Sequence, residues 1–284
     1  MTRKRIAAAV SLLWGVLAVC LPAAAADPSL DPPSLDRGYH LLYSLHFPEA
    51  QQEFQRWQQQ HPQDPLGPVS EAAGLLFSEF NRLGVLESQF YVKDSDFDKR
   101  PKLEPDPEIK AHFDADLVRA ETLSRNLLER NPNQEDSLFV MALCSGLRAD
   151  YAAMVEKRNL ASLSYIKQGQ QYADKLIALD PGYYDAYIAL GTSKYIIGSQ
   201  AAPVRWLLHL GGYGGDKKEG VHDLQLTAEH GRFLAPFARL LLAIAYLRDK
   251  DRRGARALLS GLQQEFPDNP LFEKEINRLD SQSQ

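Results

Sequence analysis

Four prolines punctuate this 284-residue chain, and each follows a stretch with helical periodicity. They stand in the pairs His61-Pro62, Asn131-Pro132, Asp180-Pro181 and Phe266-Pro267. Proline cannot continue an α-helical hydrogen-bond ladder, so it is common just after a helix end. Little of the chain alternates apolar and polar residues as a half-buried strand does. The sequence therefore predicts an all-α fold built from repeated helical units.

The residues around these prolines resemble the tetratricopeptide repeat (TPR). After Asp180-Pro181 an aromatic residue, Tyr187, precedes Leu190-Gly191 on one helix face, and the glycine suits a position where the paired helix approaches closely. The first and last units carry further positions at the family's spacing, namely Gly38, Ala50, Phe54 and Pro62, and Leu242, Ala243, Tyr246, Ala255, Leu259, Leu262 and Pro267. The resemblance implies a TPR-like solenoid of α-α hairpins.

We predict about five hairpins and a C-terminal capping helix near 270–281, because a solenoid must cover its exposed end. The hairpins are expected over 33–62, 66–132, 135–181, 183–231 and 234–267. Together they form one domain, 27–284, in which extra length falls near 91–107, 151–163 and 199–215. Insertions of this kind map to loops on one face, often the binding face. An irregular helical bundle is the alternative fold.

The N-terminus carries the three parts of a secretory signal peptide. Basic residues at 3–5 precede an apolar run over 6–21, and Ala23 to Ala26 provide small residues before a cut at Asp27. We therefore expect a signal peptide over 1–26 and a periplasmic or secreted mature chain.

Two alternatives to this location stay open. The chain becomes a lipoprotein if Cys20 is acylated, and it stays membrane-anchored if the apolar run is not cleaved. After cleavage Cys144 is the only cysteine left, so no intramolecular disulfide is possible. Because Cys144 lies inside an apolar run, we expect a buried thiol.

The charge balance argues against nucleic acid as a partner. The chain has 32 basic and 37 acidic residues, a formal net charge of −5, and the signal peptide removes three of the basic ones. An acidic protein is not drawn to a phosphate backbone, and non-specific adhesion to anionic lipid is disfavoured for the same reason. Peripheral association with the cell envelope stays open.

A glycine-rich segment over 211–215 is the most distinctive motif. It follows a Leu-rich stretch and leads into Asp216-Lys217, which lacks the Gly-Lys-Ser/Thr of a phosphate-binding loop. Asp216 is expected to cap the next helix, with Glu219 completing a capping box. The segment 205–246 resembles the TPR family of the eukaryotic inclusion-body clearance and mitochondrial outer-membrane proteins, which implies a non-enzymatic scaffold. Those proteins are intracellular, so their cellular roles do not carry over to an exported chain.

No catalytic residue, cofactor or metal is predicted. The histidine pairs 40/46 and 222/230 lack the i, i+4 spacing of helical zinc sites. The acidic run Asp94, Asp96 and Asp98 lacks the glycine and distal glutamate of a calcium loop.

A partner-binding groove is expected along the first helices of hairpins four and five, because TPR arrays hold peptides with these helices. Aromatic residues in and near the glycine-rich segment are expected to contribute. The predicted set is Asp185, Ile188, Thr192, Tyr195, Trp206, Tyr213 and Arg248, with Leu240 and Ile244 on the same face as Arg248.

The leading functional hypothesis is a non-enzymatic exported TPR adaptor for a protein or peptide in the periplasm or envelope. A carrier of a small ligand or lipid, using an apolar groove, is one alternative. An accessory enzyme that processes an envelope polymer is another. The sequence gives no oligomeric state.

Overall fold

A computed structural model describes residues 32–86 and 104–281. The expected signal peptide at 1–26, Cys20 and most of the 91–107 insertion lie outside the described residues. Pro33 onward forms one compact unit.

The described ranges contain twelve α-helices and one 3-10 turn, Tyr184–Ala186, and they contain no strand. In the first half of the chain the helices are α1 (Leu35–Tyr43), α2 (Phe47–Gln60), α3 (Leu66–Arg82), α4 (Pro107–Arg130), α5 (Glu135–Met154) and α6 (Asn159–Leu179). In the second half they are α7 (Tyr187–Gly198), α8 (Ala202–Leu210), α9 (Lys217–His230), α10 (Ala235–Arg248), α11 (Arg252–Glu265) and α12 (Pro270–Ser281). No described helix combines the length and apolar character needed to cross a membrane.

Pairing of these helices confirms the predicted all-α, TPR-like hairpin solenoid. The five hairpins are α1–α2, α3–α4, α5–α6, α7–α9 and α10–α11, and α12 packs on α11 as the cap. The first helices α1, α3, α5 and α7 also contact one another in that order and form a continuous layer. Helix α8 lies in the connection of the fourth hairpin and fills most of the 199–215 insertion.

Close approach within the fourth hairpin depends on Gly191. A Cβ at this position would lie 2.8 Å from the backbone nitrogen of Leu224 and 3.0 Å from the carbonyl oxygen of Gly220. Both obstacles are backbone atoms of α9, so no side chain could move aside. The Leu-Gly pair of the sequence motif therefore sets the distance between α7 and α9.

The first hairpin contacts the last one, which the sequence did not predict. The Tyr43 hydroxyl donates to the Phe233 carbonyl at 2.9 Å, and the Asn269 amide donates to the Tyr43 carbonyl at 2.8 Å. In addition, the Phe77 ring on α3 meets the Phe237 ring on α10 edge to face, with centroids 5.4 Å apart. The array therefore closes through side chains, and its first hairpin is not left free.

Candidate functional site

Three first helices each present one stripe of partly accessible residues. The members of a stripe are three or four positions apart, so they share a helix face. The stripes are Leu143, Gly146, Asp150 and Ala153 on α5; Ile188, Thr192 and Ile196 on α7; and Phe237, Leu241, Ile244 and Arg248 on α10. We call these residues the first-helix face.

Asp150 is the only acidic residue of the first-helix face. No described residue donates a hydrogen bond to its carboxylate or forms an ion pair with it, and burial alone raises its pKa to about 7. One turn earlier, a Cβ at Gly146 would meet no atom within 4 Å. Open space therefore adjoins a carboxylate that lacks a partner, and a basic group from another molecule could supply one.

Three of the predicted groove residues, Ile188, Thr192 and Arg248, lie on the first-helix face, together with Ile244. Leu240, which was expected on the same face, packs instead against the core formed by the last hairpin and the cap. Sequence reasoning missed Asp150, although its spacing from Gly146 on a helix was readable. The apolar residues around Cys144 predicted a buried helix and gave no signal for a binding residue. The Cys144 thiol is indeed buried, and burial raises its pKa well above the ordinary range.

Asp185 does not reach the accessible side of the array. It is buried in the 3-10 turn before α7, and its carboxylate accepts the backbone N–H groups of Arg232, Phe233 and Leu234 at 2.9–3.2 Å. These bonds fix the chain as it enters α10. Asp185 thus joins hairpins four and five instead of facing a partner.

Tyr195 is buried as well, and Ile196 takes the accessible position one residue later. The ring of Tyr195 points toward α9, where the Lys217 ammonium lies 5.8 Å from its centroid. Its backbone is so close to α9 that a Cβ at Gly220 would lie 2.4 Å from the Tyr195 nitrogen. Contact with α9 therefore turns this side chain inward.

Trp206 and Tyr213 are the remaining predicted site residues. They lie on the inserted segment 199–215, apart from Asp185 and Tyr195. Trp206 is 65% exposed on α8. Tyr213 is half-buried under the Lys167 ammonium, which lies 5.3 Å from its ring centroid. An open cleft of about 370 Å³ lies between α8 and the glycine-rich loop; it is lined by Ala202, Arg205, Trp206, His209, Tyr213 and Gly215.

Asp216 closes the glycine-rich loop as the N-cap of α9. Its carboxylate accepts the N–H groups of Lys218 and Glu219 at 2.8 and 3.0 Å, and these bonds lower its pKa. The donors that a phosphate would need at this helix start are therefore already occupied. Among the described residues no group of three metal-ligating side chains is found.

No protein-family model matches the sequence, and comparison with curated proteins gives no match. Among solved structures, the chain is similar to a thermophilic TPR protein of Thermus thermophilus. The TM-score is 0.42 and the identity 15%, over 87% of this chain and 98% of that one. The specific likeness of 205–246 to the inclusion-body clearance and mitochondrial outer-membrane family stays a prediction. What the helix pairing itself establishes is a TPR-like solenoid, an architecture that offers extended surfaces to protein partners.

Proposed function

We propose that this protein is a non-enzymatic exported scaffold that binds a protein or peptide on its first-helix face, in the periplasm or cell envelope. The observation that carries the proposal is the unpartnered carboxylate of Asp150 beside open space at Gly146. Export is supported by the signal-peptide pattern at 1–26.

The chemistry of this face favours a peptide that combines apolar side chains with a basic one. Leu143, Ile188 and Ile244 offer apolar contact, and Asp150 offers an acceptor for lysine or arginine. A largely buried carboxylate is costly when it lacks a partner, so an incoming cation relieves that cost and gains a charge-assisted hydrogen bond. Helices α5 and α7 contact each other, so their two stripes together would accommodate an extended segment.

Selection from a displayed peptide library against the full chain tests the proposal. We expect enrichment of peptides with lysine or arginine next to apolar residues. Affinity of a selected peptide should fall about thirtyfold or more in Asp150→Asn, since truncating one partner of a largely buried charge pair costs roughly 2 kcal/mol or more. Glu229→Gln, at an exposed position on α9, is the matched control and should leave affinity unchanged.

Peptide affinity should also rise with pH through 7, as Asp150 loses its proton. Selected peptides without a basic residue, with equal affinity for wild type and Asp150→Asn, would contradict the proposed site. Failure to select any peptide, with lipid or sugar co-purifying with the protein, would favour the carrier hypothesis instead.

A further inference from the structure

Helix α8 carries an apolar stripe that no described element covers. Pro203, Trp206 and Leu210 stand at i, i+3 and i+7, so they lie on one face of the helix. Trp206 and Leu210 are 65% and 63% exposed, and Val204, on a different side of α8, is 46% exposed. A nine-residue helix with this much exposed apolar surface is unusual for the surface of a soluble domain.

Another exposed apolar residue, Leu160, lies on α6, the helix whose Lys167 contacts the loop after α8. It stands at the start of α6 and is 84% exposed. Lys167, two turns later on the same face of α6, contacts Tyr213 in the loop after α8. Both α8 and the start of α6 belong to connections from a first to a second helix of a hairpin, and successive hairpins place such connections at one edge.

Charge on this edge is opposite in sign to that of the whole protein. Ser199 to Gly215 contains no acidic residue, although the chain has 37, and it contains Arg205 and His209. Lys167, Lys217 and Lys218 lie around it. Nearby acids offset part of this charge, because Asp249 pairs with Lys217, Glu219 lies 3.5 Å from Lys194 and Asp216 is ionised as the cap of α9. The excess of positive charge therefore rests on the acid-free stretch 199–215 and on Lys167 and Lys218 beside it.

We propose that this edge docks the protein on the surface of an anionic phospholipid bilayer. Trp206, Leu210 and Leu160 would enter the head-group region, where tryptophan is enriched, while Arg205, Lys167 and Lys218 would attract anionic head groups. We call this edge the docking edge. The acidic remainder of the chain is repelled by the same surface, so docking through the edge also orients the molecule. This inference uses residues separate from the first-helix face and does not depend on peptide binding.

Vesicle flotation with the full chain tests the inference. Vesicles of pure phosphatidylcholine are compared with vesicles containing 30% phosphatidylglycerol. We expect binding to the anionic vesicles that falls at high salt. The double variant Trp206→Gln/Leu210→Gln should lower the partition coefficient about tenfold, because it removes two inserted side chains. Arg205→Glu should lower it by a similar factor on anionic vesicles only.

Matched variants separate the docking edge from other apolar residues. Leu179→Gln changes an exposed leucine at the opposite end of α6 and should leave binding unchanged. All variants share the same N-terminus as the wild type, so a difference in binding between them does not come from the N-terminal residues. Equal binding by wild type and the double variant would overturn the inference, and so would an equal loss in Leu179→Gln. A protein partner that requires Trp206 and Leu210 in the absence of lipid would overturn it as well, and peptide binding to the first-helix face would be unaffected in either case.

Discussion

The hydroxyl of Tyr43 donates to the backbone carbonyl of Phe233, 190 residues further along the chain. Tyr43 ends the first helix, and Phe233 precedes the first helix of the last hairpin. The Tyr39 ring stacks on the Phe233 ring at 4.9 Å, and Arg232 forms a two-pronged ion pair with Asp36. Hairpin one therefore closes the array onto hairpin five, and loss of either end should weaken both.

Tyr43→Phe tests this closure. The substitution leaves the Phe233 carbonyl without its donor and keeps the ring, so we expect a loss of about 1 kcal/mol in the free energy of unfolding. Urea denaturation measures it. Tyr172→Phe removes the hydroxyl from a partly buried tyrosine on α6 and serves as the control, with little change expected. Equal stability of the two variants would show that the Tyr43–Phe233 bond contributes nothing.

Asp185→Asn should be more costly than a surface change nearby. One side-chain oxygen becomes an amide nitrogen that faces backbone N–H donors of residues 232–234, so we expect a loss of roughly 1.5–3 kcal/mol. Asp36→Asn, which weakens the exposed pair with Arg232, should cost less than about 1 kcal/mol. Thermal or urea denaturation distinguishes them, and a larger cost for Asp36→Asn would show that Asp185 does not fix the entry to α10.

Gly191→Ala should separate α7 from α9. The added methyl group meets backbone atoms at 2.8 and 3.0 Å, and we expect a cost of about 1–3 kcal/mol from overpacking. Gly261→Ala on α11 adds the same methyl group where no atom lies within 4 Å, so it should stabilise the protein by up to about 1 kcal/mol through helix propensity. If both variants changed the free energy of unfolding in the same direction, this would contradict the role of Gly191 in the close approach of α7 and α9.

Asp150→Asn should gain stability relative to wild type as pH rises from about 4 to 7. The folded-state pKa is about 7 and the ordinary value is 3.8, so the unfolded chain loses its proton first as pH rises. Wild type therefore loses stability relative to Asp150→Asn between about pH 4 and pH 7, and the difference is complete above pH 7. Urea midpoints of both proteins at pH 4.5 and pH 8 test this. A difference in stability between wild type and Asp150→Asn that stays constant with pH would contradict the burial of this carboxylate.

The sequence predicted the hairpins because their signals are local. Proline after a helix end, Leu190-Gly191 and the Asp216 cap each act within a few residues, and all of them correspond to observed structure. Closure of the array could not be predicted in this way, because the contacts of Tyr43 with Phe233 and Asn269 join residues about 200 positions apart. Aromatic residues of an ordinary repeat core carry no separate signal for such contacts.

The candidate site was predicted only in part for a similar reason. Ile188, Thr192 and Arg248 follow from the template, because it specifies which side of a first helix is accessible. Asp185 and Tyr195 depart from it, since the first is held by backbone donors at 232–234 and the second is turned toward α9 by close helix contact. Exposure of Trp206 depends on what covers α8, and local sequence does not encode that.

Site-specific photo-crosslinking in the native host tests the central claim, a protein partner on the first-helix face, most directly. A benzophenone amino acid would replace Thr192 on that face or Glu229 on the exposed side of α9. The proposal predicts a light-dependent adduct with another protein from position 192, reduced when Asp150→Asn is also present, and no such adduct from position 229. Absence of a protein adduct at 192, or equal adducts at both positions, would contradict it.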